Sequence, residues 1–335
     1  MRLVDTKKLS EWMDGVGLER GHPLLAERIT TGHSNELFLI RRGRLRLALR
    51  RPPAHPLSPT AHDMQREFRV LRALSASDIP VSGPVVLCED RSVIGAPFYL
   101  MEVMEGVVPR HEVPFGLSGR QIAFDAVETL ARLHAFDWRR GGLEDFGHPD
   151  GYLERQTSRW LGQLDQYRVR PLPEIDEVGR WLKGHLPAGQ RPGLIHGDYT
   201  LVNLMFAPDP PVRIEAVLDW EQSTVGDPLI DLGWLLGLWH QPGESILPGA
   251  ERGVIGFPGN PDMPSRAELA DRYASASNRE LSSIGFYCAL ALFKLACIME
   301  GSYARYLAAR SDDPYFATLE QAVPALAARA LSYAG

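Results

Sequence analysis

Three polar residues in the second half of the chain have types and spacing suited to phosphoryl chemistry. Asp198 and Asn203 lie five residues apart in Ile195-His196-Gly197-Asp198-Tyr199-Thr200-Leu201-Val202-Asn203, and Asp219 follows sixteen residues later in Leu218-Asp219-Trp220-Glu221. Moving a phosphoryl group from a nucleotide asks little covalent work of a protein. It asks for a group that orients and deprotonates the acceptor hydroxyl, and for oxygen ligands to a magnesium ion that spreads the charge developing on the phosphates. Magnesium prefers hard oxygen donors and few protein ligands. An aspartate, an asparagine carboxamide and a second aspartate form such a set. A further block, Gly226-Asp227-Pro228-Leu229-Ile230-Asp231-Leu232, follows closely.

The spacing H-x-D-x-x-x-x-N resembles the catalytic loop of protein kinases. In the form H-G-D-Y-x-x-x-N, followed by L-D-W-E and G-D-P-x-x-D-L, it is similar to the aminoglycoside phosphotransferase and choline kinase branch of that superfamily. H-G-D alone also occurs in unrelated metal-dependent hydrolases, whereas three blocks in order and register are far more specific. The resemblance implies that Asp198 is the catalytic base and that Asn203 and Asp219 are the metal ligands. It also implies that His196 braces the loop, and that Asp227 and Asp231 support the loop and cap the next helix. The implied fold is α+β and bilobal, protein-kinase-like, with a small β-rich N-lobe over residues 1–105 and a larger helical C-lobe over 106–335.

A lobe of this kind needs a turn over the phosphates, a basic residue on its third strand and a helix carboxylate to orient that base. The turn candidate is Thr31-Gly32-His33-Ser34-Asn35, in which Ser34 and Asn35 can donate hydrogen bonds to phosphate. The strand reads Ala48-Leu49-Arg50, so arginine stands where lysine is usual. Its fork can hold two phosphate oxygens, but it is bulkier than lysine and not interchangeable with it. The orienting carboxylate is expected at Glu67. Read alone, Glu67 is a solvated charge in a basic helix with Arg66, Arg69 and Arg72, and its position after the Pro-rich loop favours the orienting role. Phe98 to Gly106 resembles the hinge between lobes, with adenine pairing to backbone around Glu102, Val103 and Met104. The implied cofactors are ATP, with GTP not distinguished from it, and Mg2+.

Three further stretches narrow the resemblance. These are R-R-P-P after the third strand, H-D-x-x-R-E-F-R-V-L-R-A-L, and C-E-D-x-S-V-I-G-A-P-F-Y-L-M-E. They are similar to phosphotransferase domains found beside, or fused to, acyl-CoA dehydrogenases, a match over most of residues 27 to 310. That association implies a hydroxylated acyl acceptor. An aminoglycoside, being polycationic, calls for a cluster of carboxylates. Between Trp234 and Tyr273 the acids Glu244, Glu251, Asp262, Glu268 and Asp271 are accompanied by Arg252, Arg266 and Arg272, and by Trp234, Trp239, Ile255, Phe257 and Tyr273. This mixture favours a partly apolar hydroxyl compound, while the aromatics taken singly read as core or lid packing.

The elements that must position these residues are legible from periodicity. Thr6 to Leu18 has helical spacing. Glu36 to Ile40 and Leu45 to Arg50 read as strands joined by a turn at Arg42-Gly43. In the second, Leu45, Leu47 and Leu49 form an apolar face, and Arg50 shares the other with Ala48. Arg51 to Pro59 contains four prolines and reads as a loop. A helix is expected from His62 to Leu74, then strands at Val85 to Cys88 and Phe98 to Val103. Beyond Gly106 the chain turns helical, over Gly119 to Ala135, Tyr152 to Tyr167 and Ile175 to Leu186. Short strands at Leu194-Ile195 and Val212 to Leu218 flank the loop block. Helices follow from Leu229 to Leu238, from a capping box at Ser265 to Glu268, and within Leu281 to Ala309.

Composition sets outer bounds. The chain has 335 residues, 44% hydrophobic and 23% charged, with a net charge of -6. These values fit a globular protein with a large core and argue against nucleic acid as a partner. Cys88, Cys288 and Cys297 have no metal or redox spacing and read as buried thiols. Ile284 to Met299 is too short to span a membrane and contains Lys294, so it reads as a buried helix. The N-terminus lacks the apolar stretch of a signal peptide. The expectation is a cytoplasmic protein with a small-molecule hydroxyl acceptor, no nucleic-acid or membrane partner, and a homodimer left open. Three other readings compete: an aminoglycoside- or choline-type kinase, a catalytically weak nucleotide-binding relative, and a metal hydrolase built on His196 and Asp198. The last does not explain Asn203 or the Asp219 block.

Overall fold

The computed structural model describes residues 3–29, 35–54, 62–110, 112–241, 243–244, 256–257, 260–309 and 313–334. It divides into two compact units, Met1–Gly106 with Glu215–Ser223, and Val107–Ile214 with Thr224–Gly335. The segment carrying Asp219 is thus grouped with the first unit.

The first unit is built on a five-stranded antiparallel sheet in the order β1-β2-β3-β5-β4. Its strands are β1 (Leu24–Ile29), β2 (Glu36–Arg42), β3 (Leu45–Arg51), β4 (Pro84–Cys88) and β5 (Phe98–Glu102). Helix α1 (Thr6–Gly15) and the one-turn α3 (Arg91–Ile94) contribute Leu9, Met13, Val93 and Ile94 to a core shared with Phe38, Ile40, Leu47, Leu49, Phe98 and Leu100 of the sheet. Alternation along β3 places Ala48 and Arg50 on the opposite face. Both are buried there, where α2 (Met64–Leu74) supplies Glu67 and Phe68, the latter edge-on to Tyr99 at 5.9 Å. β3 is therefore central, and its second face is covered rather than open to solvent.

Several boundaries move. Helix α2 begins at Met64 rather than His62, because Asp63 caps it by accepting the Arg66 N–H at 3.0 Å. Arg51, expected in the loop, closes β3 and donates to the Ile94 carbonyl at 3.2 Å. Strand β1 was not anticipated. It is an edge strand, and only Leu24 and Ala26 pack on the core, so its apolar signal is weak.

The second unit is mostly helical. It contains α4 (Gly119–Ala135), α5 (Tyr152–Leu164), α6 (Pro173–Gly184), α7 (Leu229–Leu238), α8 (Arg266–Ser277), α9 (Ile284–Leu307) and α10 (Tyr315–Leu331). Strand β6 (Gly193–Ile195) pairs antiparallel with β9 (Thr224–Gly226). Short strands β7 (Leu204–Phe206) and β8 (Ile214–Val217) lie between them in sequence. The capping box at Ser265 and Glu268 forms as expected. Helix α6 ends at Gly184 rather than Leu186, and α10 lies beyond the last helix read from sequence.

Helix α9 corrects an expectation. It runs for 24 residues, long and apolar enough to cross a membrane by length and composition alone. However, 67% of its apolar window is buried inside the protein, which is how a core helix passes the same test. It lies against α7 so closely that a Cβ on Gly233 would sit 2.5 Å from Tyr287 atoms. All three cysteines are free and buried. Burial pushes the thiols of Cys288 and Cys297 up to about 12.

Because the contact at Gly233 is with backbone as well as side chain, α9 cannot yield by a rotamer change. Gly233→Ala is expected to lower unfolding stability by about 1–3 kcal/mol through overpacking. Denaturant titration checks this, and an unchanged midpoint would show that α7 and α9 separate freely.

Candidate active site

Strand β6 delivers the chain to His196, and the loop that follows is pinned from below. Asp231, fully buried in the first turn of α7, accepts the backbone N–H of His196 at 2.6 Å and of Gly197 at 2.8 Å. Two charge-assisted bonds to one carboxylate hold the turn rigidly. Gly197 has φ +86°, a left-handed conformation that costs glycine little. The His196 ring is buried, and its Nδ1 accepts the Asp198 N–H at 3.2 Å. Asp227 accepts the Leu229 N–H at 3.0 Å at the start of α7. Its other oxygen takes the Gln190 N–H and the Tyr287 hydroxyl, both at 2.9 Å. His196, Asp227 and Asp231 thus occupy the bracing positions that the resemblance implied.

The carboxylate of Asp198 is held at both oxygens. Oδ1 accepts the indole N–H of Trp234 at 3.1 Å, and Oδ2 accepts the Asn203 amide at 3.0 Å. The same amide also donates to the Asp198 carbonyl at 2.9 Å. With both amide hydrogens engaged, Asn203 Oδ1 accepts no hydrogen bond among the described residues, so its remaining ligand atom is a hard oxygen. Lys294 of α9 donates to the Gly197 carbonyl at 3.0 Å, and its ammonium stands 4.3 Å from the centre of the Trp234 ring. Burial pushes Lys294 below the ordinary lysine range, against the pull of Asp198 and Asp231.

In the first unit Arg50 is buried and bridges two carboxylates. Nε donates to Glu67 at 2.7 Å, and Nη2 donates to Asp219 at 2.5 Å. Burial opposes the charge on Arg50, but Glu67, Tyr99 and Asp219 outweigh it and hold the guanidinium protonated. Glu67 also accepts the Tyr99 hydroxyl at 2.9 Å. Burial pushes the Glu67 carboxyl up, while Arg50 pulls the other way. Asp219 has φ +63° and ψ +68°, an uncommon left-handed conformation for a non-glycine residue. Such strain often accompanies a functional site. Asp219 Oδ2 receives no donor among the described residues. The carboxylates of Glu67, Asp219 and Glu221 offer ligand atoms all within 4.8 Å of one another. A hard divalent cation therefore suits both places where ligands were expected, the free carboxylate oxygen of Asp219 and the free carboxamide oxygen of Asn203.

The other expected residues fare unevenly. Ser34 lies outside the described residues. Asn35 is buried, and its amide donates to Glu67 at 3.2 Å and to Glu221 at 3.1 Å. Its side-chain donors are thus taken by carboxylates, and the expected phosphate contact falls to its backbone N–H. In the hinge segment, Glu102 donates its N–H to the Gly83 carbonyl at 2.9 Å. The backbone N–H groups of Val103 and Met104 meet no acceptor among the described residues, so a base would pair there rather than at the Glu102 N–H. Trp239, Tyr273 and Phe257 are core residues, with Trp239 bonded to the Pro264 carbonyl and Tyr273 to His134.

Sequence reasoning missed Glu221, His62, Trp234 and Lys294 as parts of these networks. His62 Nδ1 lies 3.1 Å from Glu221. The L-D-W-E block named Glu221 without a role. A lysine inside the most apolar segment of the chain was the available signal for Lys294.

Known proteins identify the family. Residues 26–269 match the model of the phosphotransferase enzyme family, and the chain belongs to that family. Acyl-CoA dehydrogenase family member 11 of Gallus gallus is 37% identical over 289 residues, 85% of this chain but 37% of that protein. The human protein of the same name is 36% identical over 322 residues, covering 93% of this chain and 41% of its own length. The chain thus spans about two fifths of these relatives. A crystal structure from Ralstonia eutropha, provisionally described as an aminoglycoside phosphotransferase, superposes with TM-score 0.85 at 32% identity, covering 98% of each chain. Choline kinase from Cryptosporidium parvum has TM-score 0.60 at 14% identity, with 98% of this chain and 94% of that one covered, a likeness of fold alone. The fold is protein-kinase-like and α+β.

Removing Glu67 leaves the buried Arg50 with Asp219 as its carboxylate partner and the buried Tyr99 hydroxyl without its acceptor. Glu67→Ala is expected to cost about 3–5 kcal/mol of unfolding free energy. Equilibrium denaturation measures it, and a loss below about 1 kcal/mol, as for an exposed pair, would show that the pair is solvated in solution.

Proposed function

We propose that the chain transfers the γ-phosphoryl group of ATP to a hydroxyl of a small molecule, with Mg2+, and that the acceptor is a hydroxylated acyl compound. The observation that carries this reading is the state of Asp198 and Asn203. A carboxylate fixed at both oxygens stands next to a carboxamide whose oxygen is left for a metal. Asp198 accepts the acceptor hydroxyl, orients its oxygen for in-line attack on the γ-phosphorus and takes its proton as the bond from that phosphorus to the β,γ-bridging oxygen breaks. Asn203 and Asp219 would hold the magnesium, which when bound neutralises charge on the phosphate oxygens. Arg50, steadied by Glu67, offers donors to phosphate as the lysine of other kinases does.

Support for an acyl acceptor comes from two directions. The relatives at 36–37% identity are named acyl-CoA dehydrogenases. The acids near the expected acceptor region are also engaged by the protein itself. Glu244 pairs with Arg266 and with Arg329 at 3.0 Å, and Glu268 with Arg120 at 2.7 Å. Asp262 accepts the Ser118 hydroxyl at 2.7 Å. Carboxylates so paired are poor partners for a polycation.

Asp198→Ala is expected to leave ATP binding within about twofold and to lower phosphoryl transfer by roughly 100-fold or more, as loss of a general base does. Full turnover by this variant would remove Asp198 from the mechanism. Calorimetry should find ATP bound more tightly with Mg2+ than without, and this gain should vanish in Asp219→Ala. Equal affinity in both conditions would refute the metal site. That outcome would favour a nucleotide-binding protein in which Arg50 keeps hold of Asp219.

A further inference from the structure

Lys294 is the one residue of this second-unit network whose charge the mechanism above leaves without a task. It projects from α9, half-buried, and its ammonium is flanked by the rings of Trp234 at 4.3 Å and Trp160 at 5.7 Å. One N–H donates to the Gly197 carbonyl. Among the described residues the other two donors have no partner, and no carboxylate lies within ion-pair distance. Arg159, exposed on α5, adds positive potential that pushes against Lys294 and is itself unpaired by any acid among the described residues.

A neutral donor would hold the Gly197 carbonyl as well as an ammonium does, without the cost of bringing a charge out of water. Aromatic faces and a carbonyl offset part of that cost. They leave two directed donors and most of a positive charge in place. Such an arrangement is stable enough to keep and well suited to an anionic oxygen, which would satisfy both donors by charge-assisted bonds.

We propose that Lys294 is the acceptor-recognition residue of the second unit, binding an anionic oxygen of the hydroxyl compound that Asp198 activates. This rests on the phosphotransferase reading and narrows it. The substrate class becomes alcohols that carry a carboxylate or phosphate together with an apolar segment for Trp160 and Trp234. Cationic alcohols, aminoglycosides and choline among them, are disfavoured by Lys294 and Arg159 in the same place. Hydroxyacyl compounds with a free carboxylate close to the hydroxyl have the required chemistry.

The test is a set of calorimetric titrations on the full chain with Mg2+ and the non-hydrolysable analogue AMP-PNP present. 4-Hydroxybutyrate, choline and kanamycin are the probes. Wild type should bind 4-hydroxybutyrate and prefer it over the two cations. Lys294→Gln, which keeps a donor for Gly197 but not the charge, should weaken 4-hydroxybutyrate binding roughly 10- to 100-fold, the usual worth of a charge-assisted bond. Lys294→Arg should recover affinity to within roughly threefold of wild type. Arg159→Ala, on the surface, should weaken binding by roughly twofold to fivefold. Thermal melting of each variant separates loss of recognition from loss of fold, and Lys294→Arg carries the test if Lys294→Gln is unstable. The proposal is overturned if Lys294→Gln binds 4-hydroxybutyrate as wild type does, if wild type fails to bind it, or if choline or kanamycin binds better. AMP-PNP affinity with and without Mg2+ is read first. Magnesium-dependent nucleotide binding combined with any of those results sinks the role of Lys294 alone. Magnesium-independent binding sinks the phosphotransferase reading itself.

Discussion

A guanidinium withdrawn from water destabilises a fold by several kcal/mol unless its charge and its donors are met. Arg50 sits in the middle strand of the first unit's sheet, and Glu67 and Asp219 meet that demand. Much of the unit's construction follows from it. The face of β3 that carries Arg50 needs a helix whose inward stripe includes a carboxylate, and α2 provides Glu67 among Val70, Leu71 and Leu74. Glu67 in turn needs further donors, which Tyr99 and Asn35 provide. The opposite face of the same sheet is mainly apolar against α1 and α3, with buried Arg42 and Arg51 at its margin donating to the Ser10 and Ile94 carbonyls. One sheet thus separates a hydrophobic core, which gives stability, from a buried ionic network, which fixes the geometry of Asp219.

The second unit solves a related problem with backbone instead of side-chain charge. A sharp turn at Gly197 leaves N–H groups facing inward, and orphaned buried donors are expensive. Asp231 accepts two of them, which ties the loop to the first turn of α7. Gly233 lets α9 approach that helix closely enough for Lys294 to reach the loop from the other side. The placement of Asp198 is therefore a property of three elements at once: the β6 turn, α7 and α9. A general base gains from such rigidity, because misplacement by a fraction of an ångström is costly in transfer rate.

The loop block was legible in the sequence because it is local. Asp198, Asn203, Asp219, Asp227 and Asp231 lie within one short stretch, and Asp227 and Asp231 brace the loop and the start of α7 as the resemblance implied. The helices of the second unit were also legible, since their apolar periods are long. Long-range pairing was harder to read. Glu67 looked like a solvated acid in a basic helix, because nothing local shows that the other face of β3 is covered. Asn35 looked like a phosphate donor, because the partner that claims half its amide, Glu221, is 186 residues away. Lys294 looked like an interruption in a core helix, and only its contact with Gly197, 97 residues distant, gives it a place. Strand β1 was missed for a different reason: an edge strand needs few apolar residues and leaves little pattern.

Family membership and acceptor choice rest on different residues, and this explains why names transfer poorly within such a family. The family motif holds Asp198, Asn203 and Asp219, to which the proposed transfer step is assigned. Acceptor choice depends on charges that the motif does not contain. In this chain two of the acids between Trp234 and Tyr273 are paired with arginines, Glu268 with one and Glu244 with two. Two charges are pressed against the base loop, the Asp231 carboxylate on its N–H groups and the Lys294 ammonium on the Gly197 carbonyl. Asp231 commits both oxygens to that backbone, whereas Lys294 commits one donor of three. Electrostatic selection acts by excluding the wrong sign as much as by attracting the right one. On the proposal made above, the residue that selects the acceptor belongs to α9, distant in sequence from the motif that defines the family.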